Sequence, residues 1–167
     1  MINLVVVIKK FFLRMNSVIK VIIWKVCYLN NVSLHIYDIF YPRTHITIEK
    51  RGKLIIGKNC FFNRNCSLNV MESLKIGDNC IFGENVCIYD HNHKFSDKNI
   101  IIKNQGYNCK NIVIGDNCWI CSNVTILSGV EIGSNSVIGA GCVINNNIPK
   151  NSIVRMNNKN IVVEERR

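Results

Sequence analysis

The stretch from Ile114 to Ile144 reads IGDNCWICSNVTILSGVEIGSNSVIGAGCVI and decides the fold. Isoleucine occupies every sixth position in it, at 114, 120, 126, 132, 138 and 144. Two earlier segments keep the same period with bulky apolar residues, namely Ile56, Phe62 and Leu68, then Ile76, Phe82 and Ile88. An amphipathic helix has a period of about 3.6 residues and an alternating strand a period of about two, so neither explains this spacing. The chain therefore contains an internal repeat.

Each six-residue unit is long enough for one short strand and one tight corner. Three units close a triangular coil, and stacked coils form three parallel sheets with strands about 4.8 Å apart. The bulky apolar residue points into the prism, while Gly or Asn at the corners accepts turn geometry that other residues resist. The predicted fold is an all-β parallel β-helix, a triangular solenoid of hexapeptide repeats. Both of its ends need caps because each coil covers only its neighbours.

The chain has nine cysteines, which raises the question of a disulfide framework or a zinc site. Cys118 and Cys121 have the C-x-x-C spacing, but no second pair and no suitable histidines follow them. Five cysteines instead stand four residues after a bulky residue of the repeat: Cys60, Cys66, Cys80, Cys118 and Cys142. Free cysteine packs as a small hydrophobe. We expect these five to serve packing, and we expect no metal site.

The chain of 167 residues carries 21 Lys and Arg against 11 Asp and Glu, a formal net charge of +10. This excess favours a polyanionic partner, such as nucleic acid, an anionic membrane or polymer, or a phosphate-bearing cofactor. No nucleic-acid-reading motif accompanies the charge, so we expect no nucleic-acid partner. The apolar runs are too short to span a membrane and lack the unbroken centre of a secretory signal. We expect a cytoplasmic protein.

The sequence divides into a helical cap (residues 1–31), the solenoid (32–155) and a C-terminal tail (156–167). The first part has apolar residues at alternating steps of four and three, one stripe of an amphipathic helix: Ile8, Phe12, Met15, Ile19, Ile22, Val26 and Leu29. Residues 1–30 also carry five cations and no acid. Two roles stay open. The helix caps the solenoid or contacts another subunit, or it rests peripherally on the inner face of an anionic membrane.

The repeat resembles that of the hexapeptide-repeat acyltransferases, and in particular their sugar O-acetyltransferase branch, which includes the maltose and galactoside acetyltransferases. The resemblance covers residues 46–155. It implies left-handed winding of the β-helix, acetyl-CoA as co-substrate, and a homotrimer with active sites between subunits. The handedness comes from the resemblance alone, because the general preference for right-handed crossovers predicts the opposite hand.

The repeat stops after Ile88 and resumes at Ile112, which leaves an extruded loop at about 91–111. A neutral imidazole is a suitable general base near pH 7, and two histidines stand at the root of this loop. The segment Ile88 to His93, IYDHNH, resembles the I-Y-x-x-x-H segment of the branch. The match implies that His93 takes the proton from an acceptor hydroxyl that attacks acetyl-CoA. His91 stays a candidate for the same role, and Asp90 for orienting an imidazole or contacting substrate.

Further matches imply binding residues. The segment from Ile114 to Ile120 resembles the family's I-G-x-x-x-W-I, which puts Trp119 beside the CoA arm. By the same resemblance, the Ser122 position supplies a backbone N–H for the oxyanion, and the Ala140 position supplies backbone contacts to pantetheine. Asn63 aligns with an Asn that contacts the sugar acceptor. The usual T-K-D-I-P segment reads N-N-N-I-P here, so the cations left for the CoA phosphates are Lys150, Arg155 and Lys159.

The leading hypothesis is an acetyl-CoA-dependent O-acetyltransferase acting on a sugar hydroxyl in capsule, exopolysaccharide or lipopolysaccharide biosynthesis. One alternative is an acyltransferase for another small acceptor, such as serine, an amino sugar or a xenobiotic. Another is a non-catalytic solenoid that serves as a scaffold or binding module. A zinc carbonic anhydrase on the same solenoid would need three convergent imidazoles, which the repeats do not supply. The fold itself does not identify the acceptor.

Overall fold

Helix α1 (Leu4–Tyr28) opens the computed structural model, which describes residues 4–157 and 160–165. A short 3-10 helix (Leu29–Asn31) leads from it into the strands. The first three coils consist of β1 (Val32–Ser33), β2 (Ile39–Phe40) and β3 (His45–Ile48); β4 (Lys53–Ile56), β5 (Phe61–Phe62) and β6 (Ser67–Val70); and β7 (Ser73–Ile76), β8 (Ile81–Phe82) and β9 (Cys87–Tyr89). The extruded loop contains β10 (His91–His93), a 3-10 helix (Ile102–Asn104) and β11 (Tyr107–Cys109).

Two further complete coils and a C-terminal hairpin follow the loop. These are β12 (Ile112–Ile114), β13 (Trp119–Ile120) and β14 (Thr125–Ile126); β15 (Glu131–Ile132), β16 (Val137–Ile138) and β17 (Val143–Ile144); and then β18 (Ser152–Asn157) and β19 (Asn160–Glu165). An isolated parallel β-bridge joins Ile132 to Ile148, at the position of the first strand of a sixth coil. The chain thus forms a β-solenoid of about six turns, which confirms the predicted fold.

Three parallel sheets form the sides of the prism. Sheet A has the order β1-β4-β7-β12-β15, sheet B runs β2-β5-β8-β13-β16-β18, and sheet C runs β3-β6-β9-β14-β17. We name the edges between them by the sheets they join. The AB corner contains residues 57–60, 77–80, 115–118, 133–136 and 149–151; the BC corner contains 63–66, 83–86, 121–124 and 139–142; and the CA corner contains 49–52, 71–72, 90 and 127–130.

The repeat residues of the sequence form the interior of the prism. From Ile56 to Ile144, the bulky side chains at these positions are at most 1% exposed. Three phenylalanines, Phe40, Phe62 and Phe82, stack in one column with ring centroids 4.8 and 4.4 Å apart. These separations match the spacing of paired strands, so each ring sits on the same ring of the neighbouring coil.

Asparagines form ladders along two corners. Asn59 has a φ of 59° and Asn65 also has 59°, in the left-handed region where Asn is tolerated better than most residues. The side-chain amide of each donates to the asparagine of the next coil, with Asn59 to Asn79 at 2.9 Å and Asn65 to Asn85 at 3.0 Å. The corner asparagines therefore provide both the turn geometry and a hydrogen bond between coils.

The five cysteines of the repeat are buried and free, as their spacing predicts. At the AB corner, the thiols of Cys60, Cys80 and Cys118 each donate to a glycine carbonyl of the next coil, at 3.1, 3.1 and 3.4 Å. The next residue of the column is Ser136, whose hydroxyl donates to the Pro149 carbonyl at 3.0 Å. All four residues of this column are therefore small and donate a hydrogen bond to the next coil.

Helix α1 lies against the first coil through polar side chains. The Arg14 guanidinium donates three hydrogen bonds of 2.7–3.1 Å, and Ser17, Lys20 and Tyr28 donate one each at 2.9–3.1 Å. The acceptors are the carbonyl oxygens of Ile36, Tyr37, Asp38, Tyr41 and Ile46. The helix thus satisfies carbonyl groups at the end of the solenoid, where no further coil supplies donors.

The apolar stripe of α1 lies on the other side of the helix. All seven of its members, from Ile8 to Leu29, are 46–71% exposed. The buried residues of α1 are Ser17 and Val21, and Trp24 packs edge-on against Phe40 with centroids 5.0 Å apart. An amphipathic pattern predicts docking through its apolar face. Here the opposite, mixed face docks instead: Val21 and Trp24 pack on the core, while polar side chains bind the carbonyl groups at the end of the solenoid. Among the residues that the structure describes, no helix is both long and apolar enough to cross a membrane.

Part of the predicted C-terminal tail (156–167) forms a strand. Strand β19 pairs antiparallel with β18, from Ser152 opposite Glu165 to Asn157 opposite Asn160. Because β18 also pairs with β16, this hairpin extends sheet B. The sequence signal for these strands is two short runs of β-branched residues, Ile153–Val154 and Ile161–Val163. Lys159, one of the three cations expected to hold CoA phosphates, lies outside the described residues.

Candidate active site

The extruded loop leaves the solenoid at the CA corner and returns as a hairpin. Strands β10 and β11 pair antiparallel, with His91 opposite Cys109 and His93 opposite Tyr107. Beyond them, the side chain of Gln105 donates to the carbonyls of Asp97 and Ile100, both at 2.8 Å. The two predicted histidines are therefore on a paired strand, two residues apart, with a braced loop tip beyond.

Asp90 anchors the root of this hairpin. It is fully buried, and its carboxylate accepts the backbone N–H groups of Met71 at 2.9 Å and Glu72 at 2.8 Å. Its carbonyl oxygen accepts the Ser128 hydroxyl at 2.9 Å and the Lys110 N–H at 2.8 Å. The sequence predicts that Asp90 orients an imidazole or contacts substrate. In the structure its side chain faces the neighbouring coil and His91.

His91 is held by that carboxylate. Its Nδ1 lies 2.9 Å from Oδ1 of Asp90, and its side chain is 18% exposed. A carboxylate at Nδ1 fixes the tautomer of a neutral imidazole so that the other nitrogen, Nε2, is the basic one. His91 thus has the oriented form of a general base, but its ring does not line the cavity described next.

His93 lines a cavity of about 660 Å³ between the hairpin and the solenoid. Its ring lies 4.5 Å from that of Tyr107, tilted by 40°. The other lining residues come from both strands of the hairpin and from the next coil: Asn92, Phe95, Tyr107, Asn108, Cys109, Lys110 and Ser128. This volume is within the range of about 300–1,000 Å³ that is usual for small-molecule binding sites. Of the two histidines, His93 is the one whose side chain lines this cavity.

Ser122, Ala140 and Asn63 line up along the BC corner. The Ser122 carbonyl accepts the Gly141 N–H at 3.0 Å, so the Ser122 and Ala140 segments are in adjacent coils. Asn63 lies two coils from Ser122 on the same corner, and its side chain accepts the N–H of Arg64 at 2.9 Å. Arg155 lies in the same column, because it directly follows Val154 of β18, which pairs with Ile138 of β16. The Arg155 guanidinium forms an ion pair with Glu164 at 3.4 Å.

The remaining predicted residues lie elsewhere on the prism. Trp119 is on the outer face of sheet B, where its register neighbours are Ile81 and Val137, and it is 51% exposed. Lys150 is at the AB corner, next to Gly133. The structure therefore brings His91, His93 and Asp90 together at one corner, and Asn63, Ser122, Ala140 and Arg155 at another. A single chain does not bring the two groups together.

Apart from His93, the residues that line the cavity were not predicted from the sequence: Asn92, Phe95, Tyr107, Asn108, Cys109, Lys110 and Ser128. The first six of these are in the loop, where no repeat assigns positions. Ser128 could have been predicted from the repeat, because it lies at the CA corner one coil after Asp90. Among residues 4–157 and 160–165, no three His, Cys, Asp or Glu side chains are grouped so that they would hold a metal ion.

The family model of the bacterial transferase hexapeptide (six repeats) matches residues 111–146. Among solved structures, the chain is similar to a hexapeptide-repeat-containing acetyltransferase of Vibrio cholerae O1 biovar eltor complexed with acetyl-CoA, with 30% identity over 68% of this chain and 64% of that one and a TM-score of 0.58. It is also similar to a galactoside acetyltransferase in complex with coenzyme A, with 29% identity over 75% of this chain and 66% of that one and a TM-score of 0.62.

A third similar structure is a maltose O-acetyltransferase of Clostridium difficile 630, with 25% identity, 92% of this chain and 87% of that one covered, and a TM-score of 0.63. The chain spans slightly less than two thirds of the first two relatives. A comparison with curated protein sequences found no match.

The six-residue period and the three parallel sheets define a three-sided β-solenoid of hexapeptide repeats. Residues 111–146 carry the repeat of the bacterial transferase hexapeptide family, and the chain is similar to solved hexapeptide-repeat and sugar acetyltransferases.

Proposed function

We propose that this protein is an acetyl-CoA-dependent O-acetyltransferase with a sugar hydroxyl as acceptor. The observation that carries the proposal is His93, whose imidazole lines the cavity at the root of the extruded loop. Two similar structures contain acetyl-CoA or CoA, and two are acetyltransferases named for galactoside and maltose. A capsule, exopolysaccharide or lipopolysaccharide component is the acceptor class that we propose.

In the proposed reaction, the imidazole of His93 removes the proton of the acceptor hydroxyl as its oxygen attacks the thioester carbonyl carbon. The C–S bond then breaks, the acetyl group stays on the sugar oxygen, and the thiolate of CoA takes the proton from the imidazolium. No acyl-enzyme forms, so orientation of the two substrates supplies much of the acceleration. The backbone N–H of Ser122 is the proposed donor to the oxyanion.

This reaction needs both corners of the prism. The base is at the CA corner, and the residues assigned to CoA are at the BC corner, a full side of the triangle away. We therefore propose a homotrimer in which the CA corner of one subunit faces the BC corner of its neighbour. Trp119, exposed on sheet B, then lies at the subunit boundary instead of in water.

The BC corner has room for the CoA arm. Gly141 has a φ of 75°, and a side chain added there would meet no atom within 4 Å, so the surface beside Ala140 is open. Of the predicted cations that the structure describes, Arg155 lies in the same column as Ala140, whereas Lys150 lies at the AB corner. Arg155 is therefore the better candidate to bind the CoA phosphates. Its ion pair with the exposed Glu164 is a surface pair that a phosphate would replace at little cost.

The test measures CoA released from acetyl-CoA by chromatography, in the presence of a panel of nucleotide sugars, glycans, serine and amino sugars. We expect release with a sugar acceptor, and a loss of about 10²–10⁴-fold in kcat for His93→Gln. His45→Gln, which changes an exposed histidine on β3, is the matched control and should retain full activity.

His91→Gln separates the two candidate bases. If His93 is the base, His91→Gln loses less activity than His93→Gln. Equal turnover by His93→Gln and the unsubstituted protein would contradict the assignment. Absence of both acetyl-CoA binding and CoA release with every acceptor would favour a non-catalytic scaffold.

A further inference from the structure

The outward side of α1 is an apolar surface that no other described part of the chain covers. Thirteen large apolar residues between Leu4 and Leu29 are 44–71% exposed. Ile8, Phe12, Met15, Ile19, Ile22 and Val26 form the continuous stripe along it. Monomeric proteins rarely expose a continuous apolar surface of this kind unless it meets a partner or a membrane.

The docked side of the helix is already used. Arg14, Ser17, Lys20 and Tyr28 bind carbonyl groups of the first coil, so α1 cannot rotate its stripe inwards without losing those hydrogen bonds. The stripe therefore faces away from the solenoid while the cap is intact. We name it the α1 outer face.

The charges around this face are of one sign. Lys9 and Lys25 are exposed along α1, whereas Lys10 lies on the docked side of the helix near Arg14 and Tyr41. From residue 4 to residue 48 the sole acidic residue is Asp38, and it is fully buried beneath the helix. A second copy of the same helix would bring lysines against lysines with no acid to pair with them. An anionic lipid surface, in contrast, accepts both the apolar side chains and the lysines.

We propose that the α1 outer face lies on an anionic membrane surface, with the helix axis in the plane of the interface. The helix has 25 residues and is therefore about 37 Å long. Its apolar side chains enter the boundary between headgroups and acyl chains, and its lysines reach the headgroup phosphates. The solenoid is then held at the membrane by its capped end. This inference is independent of the acetyl-transfer proposal, since its test contains no substrate.

The test is co-flotation of the full chain with vesicles, using phosphatidylcholine alone or mixed with phosphatidylglycerol. We expect flotation with the anionic vesicles, little with the neutral ones, and weaker flotation at high salt. Phe12→Glu/Ile19→Glu should reduce the bound fraction at least about tenfold. The matched control is Ile55→Glu/Val143→Glu, which makes the same change at exposed apolar residues of sheets A and C, and it should float like the unsubstituted protein.

Each other outcome overturns the proposal. Absence of flotation with anionic vesicles rejects a lipid partner, and equal flotation with neutral vesicles rejects the role of the lysines. Unchanged flotation of Phe12→Glu/Ile19→Glu rejects the α1 outer face as the contact. If that variant lowers the native mass of the protein without vesicles, the face is an interface between copies of the chain.

Discussion

Burial of Cys66 in the repeat changes the pKa of its thiol and thereby makes the stability of the protein depend on pH. It is fully buried at the BC corner, and its thiol donates to the Gly83 carbonyl at 3.2 Å. Burial raises the pKa of this thiol from 9.0 to about 11. The unfolded chain therefore ionises Cys66 first as the pH rises. Its contribution to stability is complete below pH 9 and is lost as the pH rises towards 11.

This linkage predicts that Cys66→Val weakens the pH dependence of unfolding between pH 9 and 11. Valine suits the site because Val86 and Val124 stand at the same position of the next two coils. The slope that the variant removes is at most about 1.4 kcal/mol per pH unit. Urea unfolding at a series of pH values measures it, with exposed Cys27→Val as control. Identical slopes for Cys66→Val and the unsubstituted protein would refute burial of this thiol as the cause.

Sequence and structure agree well on single residues within the repeat and less well outside it. The positions of Ile120, Cys118 and Asn117 follow from the period, because each coil repeats the environment of its neighbours. The sequence predicts that Asp90 could orient an imidazole, and its carboxylate contacts His91, but no pattern predicts its bonds to the backbone. Its partners, Met71 and Glu72, lie in the previous coil, and its hydrogen bonds to their N–H groups depend on where the loop leaves the prism.

At the scale of elements, α1 is predictable as a helix but not in its orientation. Its period of apolar residues is the strongest helical signal in the chain. The face that docks is decided by the surface it meets, and the first coil presents carbonyl groups to it. Arg14 is the residue that best matches such a surface, since its guanidinium has several donors in a fixed fork.

The polar cap predicts a large effect of Arg14→Ala. Loss of three hydrogen bonds from a charged donor should lower the free energy of unfolding by about 2 kcal/mol. Arg14→Lys should recover part of this, because one ammonium group cannot reach all three carbonyls. Lys25→Ala, an exposed change on the same helix, should stay within about 0.5 kcal/mol. Urea unfolding tests all three variants, and an Arg14→Ala protein as stable as Lys25→Ala would refute the polar cap.

The extruded loop is the second element whose place, but not whose form, is predictable. The interruption of the repeat after Ile88 locates it. Its pairing of His91–His93 with Tyr107–Cys109 leaves no signal in the sequence, since neither segment alternates apolar and polar residues. No pattern therefore predicts that Tyr107 enters the cavity, although its ring lies beside that of His93.

At the scale of the whole molecule, the fold follows from the sequence and the complete site does not. The period fixes a triangular solenoid because only three six-residue sides return the chain to the same column. The separation of His93 and Ala140 onto different corners then follows from counting sides along each coil. The surface that each corner contacts depends on how the subunits assemble, and the repeat pattern does not predict that assembly.

The proposed active site takes His93 from one subunit and the Ala140 surface from its neighbour. Its direct test is complementation between His93→Ala and Ala140→Glu, each of which should be nearly inactive alone. The two variants are coexpressed with different affinity tags, and trimers containing both are isolated in tandem. Each mixed trimer has one site with both intact parts, so we predict about a third of the CoA release of the unsubstituted protein. Mixed trimers as inactive as the separate variants would contradict the shared site.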